Sequence, residues 1–560
     1  MMGYPFKLKD LLGTLGGRIL IGGPEVEFTT FCIDSRYATG GSLFIPLLGQ
    51  HRDGHHFVLD AFQKHAAASL VRRGHHLVPE ILKVLQESAT YVSFSHLQLA
   101  TVIEVRHTLV ALQKVASWFR RQFESTKILA ISGSVGKTQT KEMTLAMLGT
   151  RYQVVGTDKN FNNEIGVPLT LAKLSPQADA VVVEMAMRGR GEISLLSRIT
   201  QPNVALITNV LGSHIGRLGS NIEVAKAKAE IVDGMKPGDV LWLNAGDPCL
   251  PVILTQLAEK QAVRRGLQLS FFDTSGARTA GSPLPPLALP SESREVPPDS
   301  SPEAKPSLWV EDVELKGLRG SRFMLCRDCQ RLPVALKIPG RAAVANFTCA
   351  AALCSQLGMS LEECADLSPS LEPTPQRLVP YELRPGALLL DDSYNSSPAS
   401  TQEALELIAQ LPSSTRRILV LGDMLELGKY ETMLHRQVAT QVSRLPPSLV
   451  LGVGPRMAAL KETPPAEGTE VLWFRGIDDG IGSQATAPSS ESVEREPGRI
   501  RYRQEMVDEP TAERIVERIE AELADERKEV VVLVKGSRAL HLERVVQGIL
   551  APRGIEERML

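Results

Sequence analysis

Gly133-Ser134-Val135-Gly136-Lys137-Thr138 constrains this chain more than any other stretch. It follows the apolar run Ile128-Leu129-Ala130-Ile131 and opens a helical pattern over Gln139 to Leu148. A strand, a glycine turn and a helix in that order make a phosphate cradle. The turn's backbone N–H groups and the positive end of the helix dipole face the anion, Lys137 neutralises phosphate charge, and the Thr138 hydroxyl can hold a magnesium ion. The segment therefore predicts ATP binding, with Gly133, Ser134, Val135, Gly136, Lys137, Thr138 and Gln139 as the contact residues. The common form of this loop has four residues between its glycines. Here two separate Gly133 from Gly136, and Ile131 stands where the first glycine would be.

A chain of 560 residues is too long for one core, and three domains are expected. Hydrophobic content of 43% and charged content of 22% suit a globular protein rather than a disordered one. The 62 basic and 64 acidic side chains nearly cancel, leaving no broad basic field for a nucleic-acid backbone. Seven scattered cysteines fit a reducing compartment better than a disulfide framework. Lys7, Lys9, Asp10 and Arg18 interrupt the amino-terminal apolar residues, and no run of eighteen apolar residues follows. The expectation is a cytoplasmic protein, monomeric, with neither membrane nor nucleic acid as partner.

The fold class read from the pattern is α/β in three domains. The first covers residues 1–105, a small α/β unit of short strand-like runs and helices, including Leu43 to Leu48 and the alanine-rich Ala61 to Val71. The second, residues 106–370, begins with a helix over about Leu109 to Phe123. From Lys127 to about Gly358 strands such as Ala180 to Glu184, Val204 to Thr208 and Val240 to Leu243 alternate with helices. Such alternation predicts a doubly wound, mostly parallel sheet with ligands at the carboxyl ends of its strands. The third, residues 371–560, is Rossmann-like, with strands at Ala387 to Leu390, Arg417 to Leu421, Leu449 to Gly452 and Val530 to Val534. Two polar stretches, 276–307 and 478–498, read as mobile surface insertions.

Four segments supply chemistry beside the phosphate loop. Asn160-Phe161-Asn162-Asn163-Glu164 either lines a substrate or phosphate path, through Asn162 and Asn163, or caps the next helix. Val181-Val182-Val183-Glu184 is a buried strand delivering a carboxylate to the sheet edge, where it offers magnesium a hard oxygen ligand. The strand at Ile207 leads into a loop presenting His214 to the same crevice. In Glu223 to Ile231, Lys226 and Lys228 point about 200° apart on a helix, so only one can face the sheet. By spacing alone both can be solvated. A lysine beside metal ions and a carboxylate substrate is electrostatically wrong unless it is modified to carry negative charge.

Together these segments resemble the Mur ligase family, and the resemblance runs over all three units. Asp34-Ser35-Arg36, Ser42-Leu43-Phe44 and Gly54-His55-His56-Phe57 resemble its uridine-nucleotide substrate domain. The phosphate loop with Lys141-Glu142-Met143, Asn162 to Pro168 and Ala225 to Ile231 fit its central domain. Asp391 to Asn395, Leu421 to Gly428 with His435, and Lys535-Gly536-Ser537-Arg538 fit its third. The last set favours the member that joins D-alanyl-D-alanine to a UDP-N-acetylmuramoyl-tripeptide, using ATP and Mg2+.

The resemblance implies that Lys137 binds phosphates, Thr138 and Glu184 hold one magnesium, and His214 serves a second. It implies that Lys228 is carbamylated, giving Lys137, Lys228 and His214 as the catalytic set. Asn346 would approach the adenine, Arg377 and Asp392 would reach the nucleotide, and Ser35, Arg36, Asn162 and Asn163 would contact substrate. Two departures stand out. The family usually has His-Asn after Gly340-Arg341, where this chain has Ala342-Ala343, and its usual Gly after Glu184-Met185 is missing. The rival readings are another Mur-type or folylpolyglutamate-type amide ligase, a phosphate-loop switch or motor ATPase, and a ligase scaffold without catalysis. Cys326 and Cys329 have metal-like spacing but no second pair nearby, and read as a strand turn.

Overall fold

The computed structural model describes residues 5–49, 52–88, 100–158, 160–211, 215–277, 305–463, 468–474, 502–504 and 511–555. His214, most of the insertion at 276–307 and all of that at 478–498 lie outside the described residues.

The amino-terminal sheet runs Arg18–Ile21, Thr101–Val105, Ala68–Arg72, Ser42–Phe44, Thr30–Cys32, parallel except for its first pair. Two expected elements change here. The run from Leu43 leaves the sheet after Phe44, because Pro46 has no N–H for a ladder and the Leu47 carbonyl accepts from Gly54 N instead. The alanine-rich run divides into the helix Val58–Gln63 and the strand Ala68–Arg72. The break is at His65, whose φ of 68° ends the helix.

The helix Thr108–Arg121 places Leu112, Val115, Ala116 and Phe119 on one buried stripe, the i, i+3, i+4, i+7 spacing of an amphipathic helix. That stripe packs into an apolar cluster shared by the amino-terminal and central sheets.

The central sheet has nine strands, ordered Gln330–Leu336, Ser321–Arg327, Leu308–Leu315, Gln268–Asp273, Val240–Asn244, Val204–Ile207, Lys127–Ser132, Ala180–Glu184, Val154–Gly156. Seven are mutually parallel, from Val154–Gly156 through to Leu308–Leu315, as the alternating pattern predicts. From Leu308–Leu315 onward the sheet turns antiparallel, through Ser321–Arg327 to Gln330–Leu336, with no α-helix between these strands. Their connections are too short for a crossover and must turn back: Gly317 and Gly320 adopt φ of 58° and 97°, and Asp328 φ of 50°. Cys326 is buried in one of these strands, and Cys329 is exposed in the turn after it.

The strand Lys127–Ser132 lies between Val204–Ile207 and Ala180–Glu184, with Ile131 opposite Glu184 and Ser132 opposite Ile207. Three carboxyl ends therefore open on one crevice.

The carboxy-terminal sheet runs Val379–Arg384, Ala387–Asp392, Val530–Lys535, Arg416–Gly422, Leu449–Val453, Glu470–Phe474, Tyr502–Gln504, and only its first pair is antiparallel. Its inner parallel strands Val530–Lys535, Arg416–Gly422 and Leu449–Val453 are dominated by aliphatic runs, as strands buried on both faces require. No helix among the described residues is long and apolar enough to cross a membrane.

Candidate active site

The phosphate loop is fastened before any ligand arrives. Ser134 N donates to Asn209 O at 2.9 Å and Val135 N to Asn209 Oδ1 at 3.0 Å, while Thr208 Oγ1 donates to Val135 O at 2.7 Å. The loop after the neighbouring strand thus holds the first half of the turn. Both glycines are sterically required. At Gly133, φ 147°, a Cβ would sit 1.9 Å from Thr208 Oγ1, and at Gly136, φ 87°, 2.3 Å from Asn346 Oδ1.

What stays available is the anion-binding part. The backbone N–H groups of Gly136, Lys137 and Thr138, where the helix Lys137–Leu148 starts, find no acceptor among the described residues. Lys137 Nζ arches back to donate to the Gly133 and Ser134 carbonyls at 2.7 and 3.1 Å. Burial lowers its pKa below the ordinary lysine value, and the Glu184 carboxylate opposes the shift. This arrangement suits a polyphosphate, which would replace weak carbonyl partners with charged ones.

Glu184 ends its strand 2% exposed. Its Oε1 accepts from Asn162 Nδ2 at 2.8 Å, and its Oε2 is buried with no hydrogen-bond partner among the described residues. An orphaned carboxylate oxygen in a crevice is expensive to maintain. A hard divalent cation would satisfy it. Thr138 Oγ1 accepts from Arg377 Nη2 at 3.0 Å, which leaves the hydroxyl one further lone pair.

The two lysines divide as the helix geometry requires. Lys226 is one-third exposed and paired with Glu223 at 3.1 Å, whereas Lys228 is 2% exposed with no hydrogen-bond partner among the described residues. Burial pushes the Lys228 pKa well below the lysine range, the Lys137 charge adds to the shift, and Asp247 opposes it. The side chain is therefore held toward the neutral amine, the form that reacts with carbon dioxide to give a carbamate.

One cavity of about 530 Å³ gathers Ser134 to Gln139, Asn162, Asn163, Glu184, Asn346, Arg377 and Asp392. Lys228 does not line it. Asn163 belongs to the capping reading as well, since its Oδ1 accepts from Ile165 N and Gly166 N at the start of the helix Gly166–Leu171. Gln139 Oε1 accepts from Thr374 N at 3.2 Å, so the hinge into the third unit is tied to the phosphate-loop helix. Asp392 is engaged by Lys535 at 2.5 Å. Burial raises its pKa and the Lys535 ammonium opposes that.

Ser35 and Arg36 lie outside this crevice. Ser35 is buried, and the exposed Arg36 is held by Asp34 at 2.6 to 3.1 Å. Nearby, Asp53 joins His55 Nδ1 at 2.7 Å and His75 Nε2 at 2.8 Å, with the two rings stacked 3.9 Å apart. His55 Nε2 accepts from Arg72 N, so this trio clamps the turn Gly54–Phe57 to its sheet.

Sequence reasoning missed Tyr394, Glu403 and the role of Lys535. Arg377 stacks 4.3 Å over the Tyr394 ring, and Glu403 Oε1 accepts from Ala342 N at 2.5 Å. Lys535 stood in a recognisable motif. Glu403 stands in an ordinary helical run, and nothing local marks it.

This α/β fold, with its three large sheets, is shared with solved structures. MurF from Acinetobacter baumannii superposes with a TM-score of 0.74 at 22% identity, covering 98% of this chain and 99% of that one. MurF ligase from Thermotoga maritima, solved in complex with ADP, gives 0.65 at 21% identity over 94% and 98%. Residues 131–274 match the Mur ligase middle domain and residues 377–538 the glutamate ligase domain of Mur ligases. The UDP-N-acetylmuramoyl-tripeptide–D-alanyl-D-alanine ligase of Bacillus subtilis is 31% identical over 423 residues, 75% of this chain and 79% of the relative. The ligase of that name from Escherichia coli is 28% identical over 543 residues, 97% and 98%. The chain belongs to the Mur ligase family.

Proposed function

We propose that the chain is an ATP-dependent amide ligase of peptidoglycan precursor synthesis, joining D-alanyl-D-alanine to UDP-N-acetylmuramoyl-tripeptide with release of ADP and phosphate. The observation that carries this reading is the near end-to-end similarity to a tripeptide–D-alanyl-D-alanine ligase. The free loop amides and the orphaned Glu184 oxygen of one crevice support it, as does the buried Lys228 amine.

A carboxylate is a poor acyl donor because oxide would have to leave. ATP supplies the phosphoryl group that turns that oxygen into a leaving group. Lys137 and the amides of Gly136 to Thr138 hold the phosphates and offset charge on the group in transfer. Glu184 and Thr138 would hold Mg2+, which would polarise phosphoryl oxygens. His214 and a carbamylated Lys228 would serve a second ion. The neutral amine of Lys228 suits carbamylation, which would turn it into an anionic ligand. Asn162 fixes Glu184, and Asn163 holds the adjoining helix start beside the acyl substrate. Arg377, reaching Thr138 from the third unit, helps exclude water from an activated acyl group.

The domain division we infer is 1–105 for the uridine nucleotide, with Ser35 and Arg36 near it, 106–370 for ATP, and 371–560 for the dipeptide. A cytoplasmic monomer suits soluble substrates of this kind. The test is the product made from ATP, D-alanyl-D-alanine and the UDP-muramoyl-tripeptides that differ in their diamino acid. The expected result is a mass gain of one dipeptide less water, with one ADP per product. Turnover only with glutamate or a single amino acid as acceptor would assign a different ligase, and ADP release without acceptor would point to an ATPase.

A further inference from the structure

We propose that Glu403 is a nucleoside-recognition residue of this chain, its free carboxylate oxygen accepting a hydrogen bond from the ribose or base of the bound ATP. The inference rests on the reading that the crevice takes ATP. It concerns the wall formed by the helix Arg341–Ser355, along which Asn346 touches the phosphate loop at Gly136. Ala342 lies four residues before Asn346, on the same face and just over one turn, about 6 Å, away along the axis. With phosphates held at Gly136 to Thr138, that turn of helix is where the nucleoside half can run. Ala342 and Ala343 line it and have no polar side-chain atom to offer.

Glu403 comes to this place from the helix Pro398–Ala409 of the carboxy-terminal unit. Its Oε1 accepts from Ala342 N at 2.5 Å, and the approach depends on Gly340, where a Cβ would lie 2.9 Å from that oxygen. Its Oε2 makes no hydrogen bond among the described residues, and the side chain lines the crevice. One oxygen therefore caps the helix, and the other is an open acceptor. Burial raises the carboxyl pKa to about 7. The Asp392 and Glu406 charges add to that shift, while the Ala342 N–H and the Lys535 ammonium oppose it. The contact with Ala342 places Glu403 a turn of helix away from the phosphate loop, where a group that reads the nucleoside belongs. The donors available on that ligand are the ribose hydroxyls and the exocyclic amine of adenine, and a carboxylate suits either.

The experiment is calorimetric titration of the full chain with ADP, 2′-deoxy-ADP, 3′-deoxy-ADP and IDP, for the wild type, Glu403→Gln and Glu403→Ala. Thermal unfolding checks that each variant is folded. Glu403→Gln keeps an oxygen for Ala342 N and turns a donor toward the ligand, which separates recognition from helix capping. A hydrogen bond to a charged group corresponds to about a tenfold change in affinity or more. The wild type is expected to bind at least one analogue about tenfold more weakly than ADP, and both variants to lose that discrimination along with a similar factor for ADP. Weak deoxy-ADP assigns the ribose, and weak IDP the base. Wild-type affinity and discrimination in Glu403→Gln would overturn the proposal. Absence of ADP binding by the wild type would instead overturn the ATP reading on which it rests.

Discussion

The central sheet meets its two neighbours across seams of opposite character. On the amino-terminal side Phe6, Phe28 and Phe31 share one apolar cluster with Trp118, Phe119 and Phe123. Phe6 lies 5.3 Å from Trp118 and Phe31 5.5 Å from Phe119, both edge-on. On the carboxy-terminal side the contacts are polar or backbone: Arg377 to Thr138, Glu403 to Ala342, Gly216 N to Glu426 O at 3.1 Å, and Tyr430 OH to Gly219 O at 3.4 Å. Ile215 is the one fully buried central side chain described in the carboxy-terminal core. An apolar seam opens only by wetting its whole area, whereas a polar seam exchanges its hydrogen bonds for water at little net cost. The crevice lies at the polar seam. A ligase that admits three substrates and then excludes water needs one boundary that stays shut and one that moves.

The largest effect expected is on chemistry at the polar seam. Lys137→Ala should lower ligation about 10³-fold, measured as ADP release with all substrates present, because a charged stabiliser of the transferring group is lost. Urea unfolding of the same variant should stay close to wild type. Near-normal turnover would remove Lys137 from the mechanism.

Phe119→Ala tests the opposite seam. Emptying a fully buried aromatic site in a shared cluster should cost about 3 to 5 kcal/mol in chemical unfolding. The amino-terminal and central units should then lose cooperativity while folded protein retains its KM for ATP. A loss below about 1 kcal/mol would mean that the apolar seam does not join the two units.

The smallest effect, and the most discriminating, is expected from Gly216→Ala. Its Cβ would lie 2.4 Å from Gly428 N and 2.6 Å from Glu426 O, so the two backbones of the seam must move apart, with no flexible side chain there to yield instead. We expect a several-fold rise in KM for the dipeptide with stability changed by less than about 1 kcal/mol. A destabilisation as large as that of Phe119→Ala, with KM unmoved, would make the two seams alike.

The parts of this comparison legible beforehand were local ones. The strand Ala180–Glu184 and the helix Thr108–Arg121 follow from runs whose periodicity is visible within a dozen residues. So does the division between Lys226 and Lys228, which needs only the pitch of a helix. The antiparallel strands after residue 307 were missed because their turns depend on backbone angles at Gly320 and Asp328. The contacts that form the polar seam join residues 61 and 239 positions apart, Ala342 with Glu403 and Thr138 with Arg377, and the Lys535 that holds Asp392 within the third unit stands 143 positions from it. No window of sequence contains both partners.

The amino-acid order alone determined that a glycine turn between an apolar strand and a helix would present backbone N–H groups to an anion, since φ, ψ and the helix dipole are properties of neighbouring residues. Only the tertiary structure decided which polar atoms were left without hydrogen-bond partners among the described residues, the buried Glu184 oxygen foremost, and which groups were buried, Lys228 among them. Satisfaction of a buried group is set by whatever distant element packs against it, and that is a property of the folded whole.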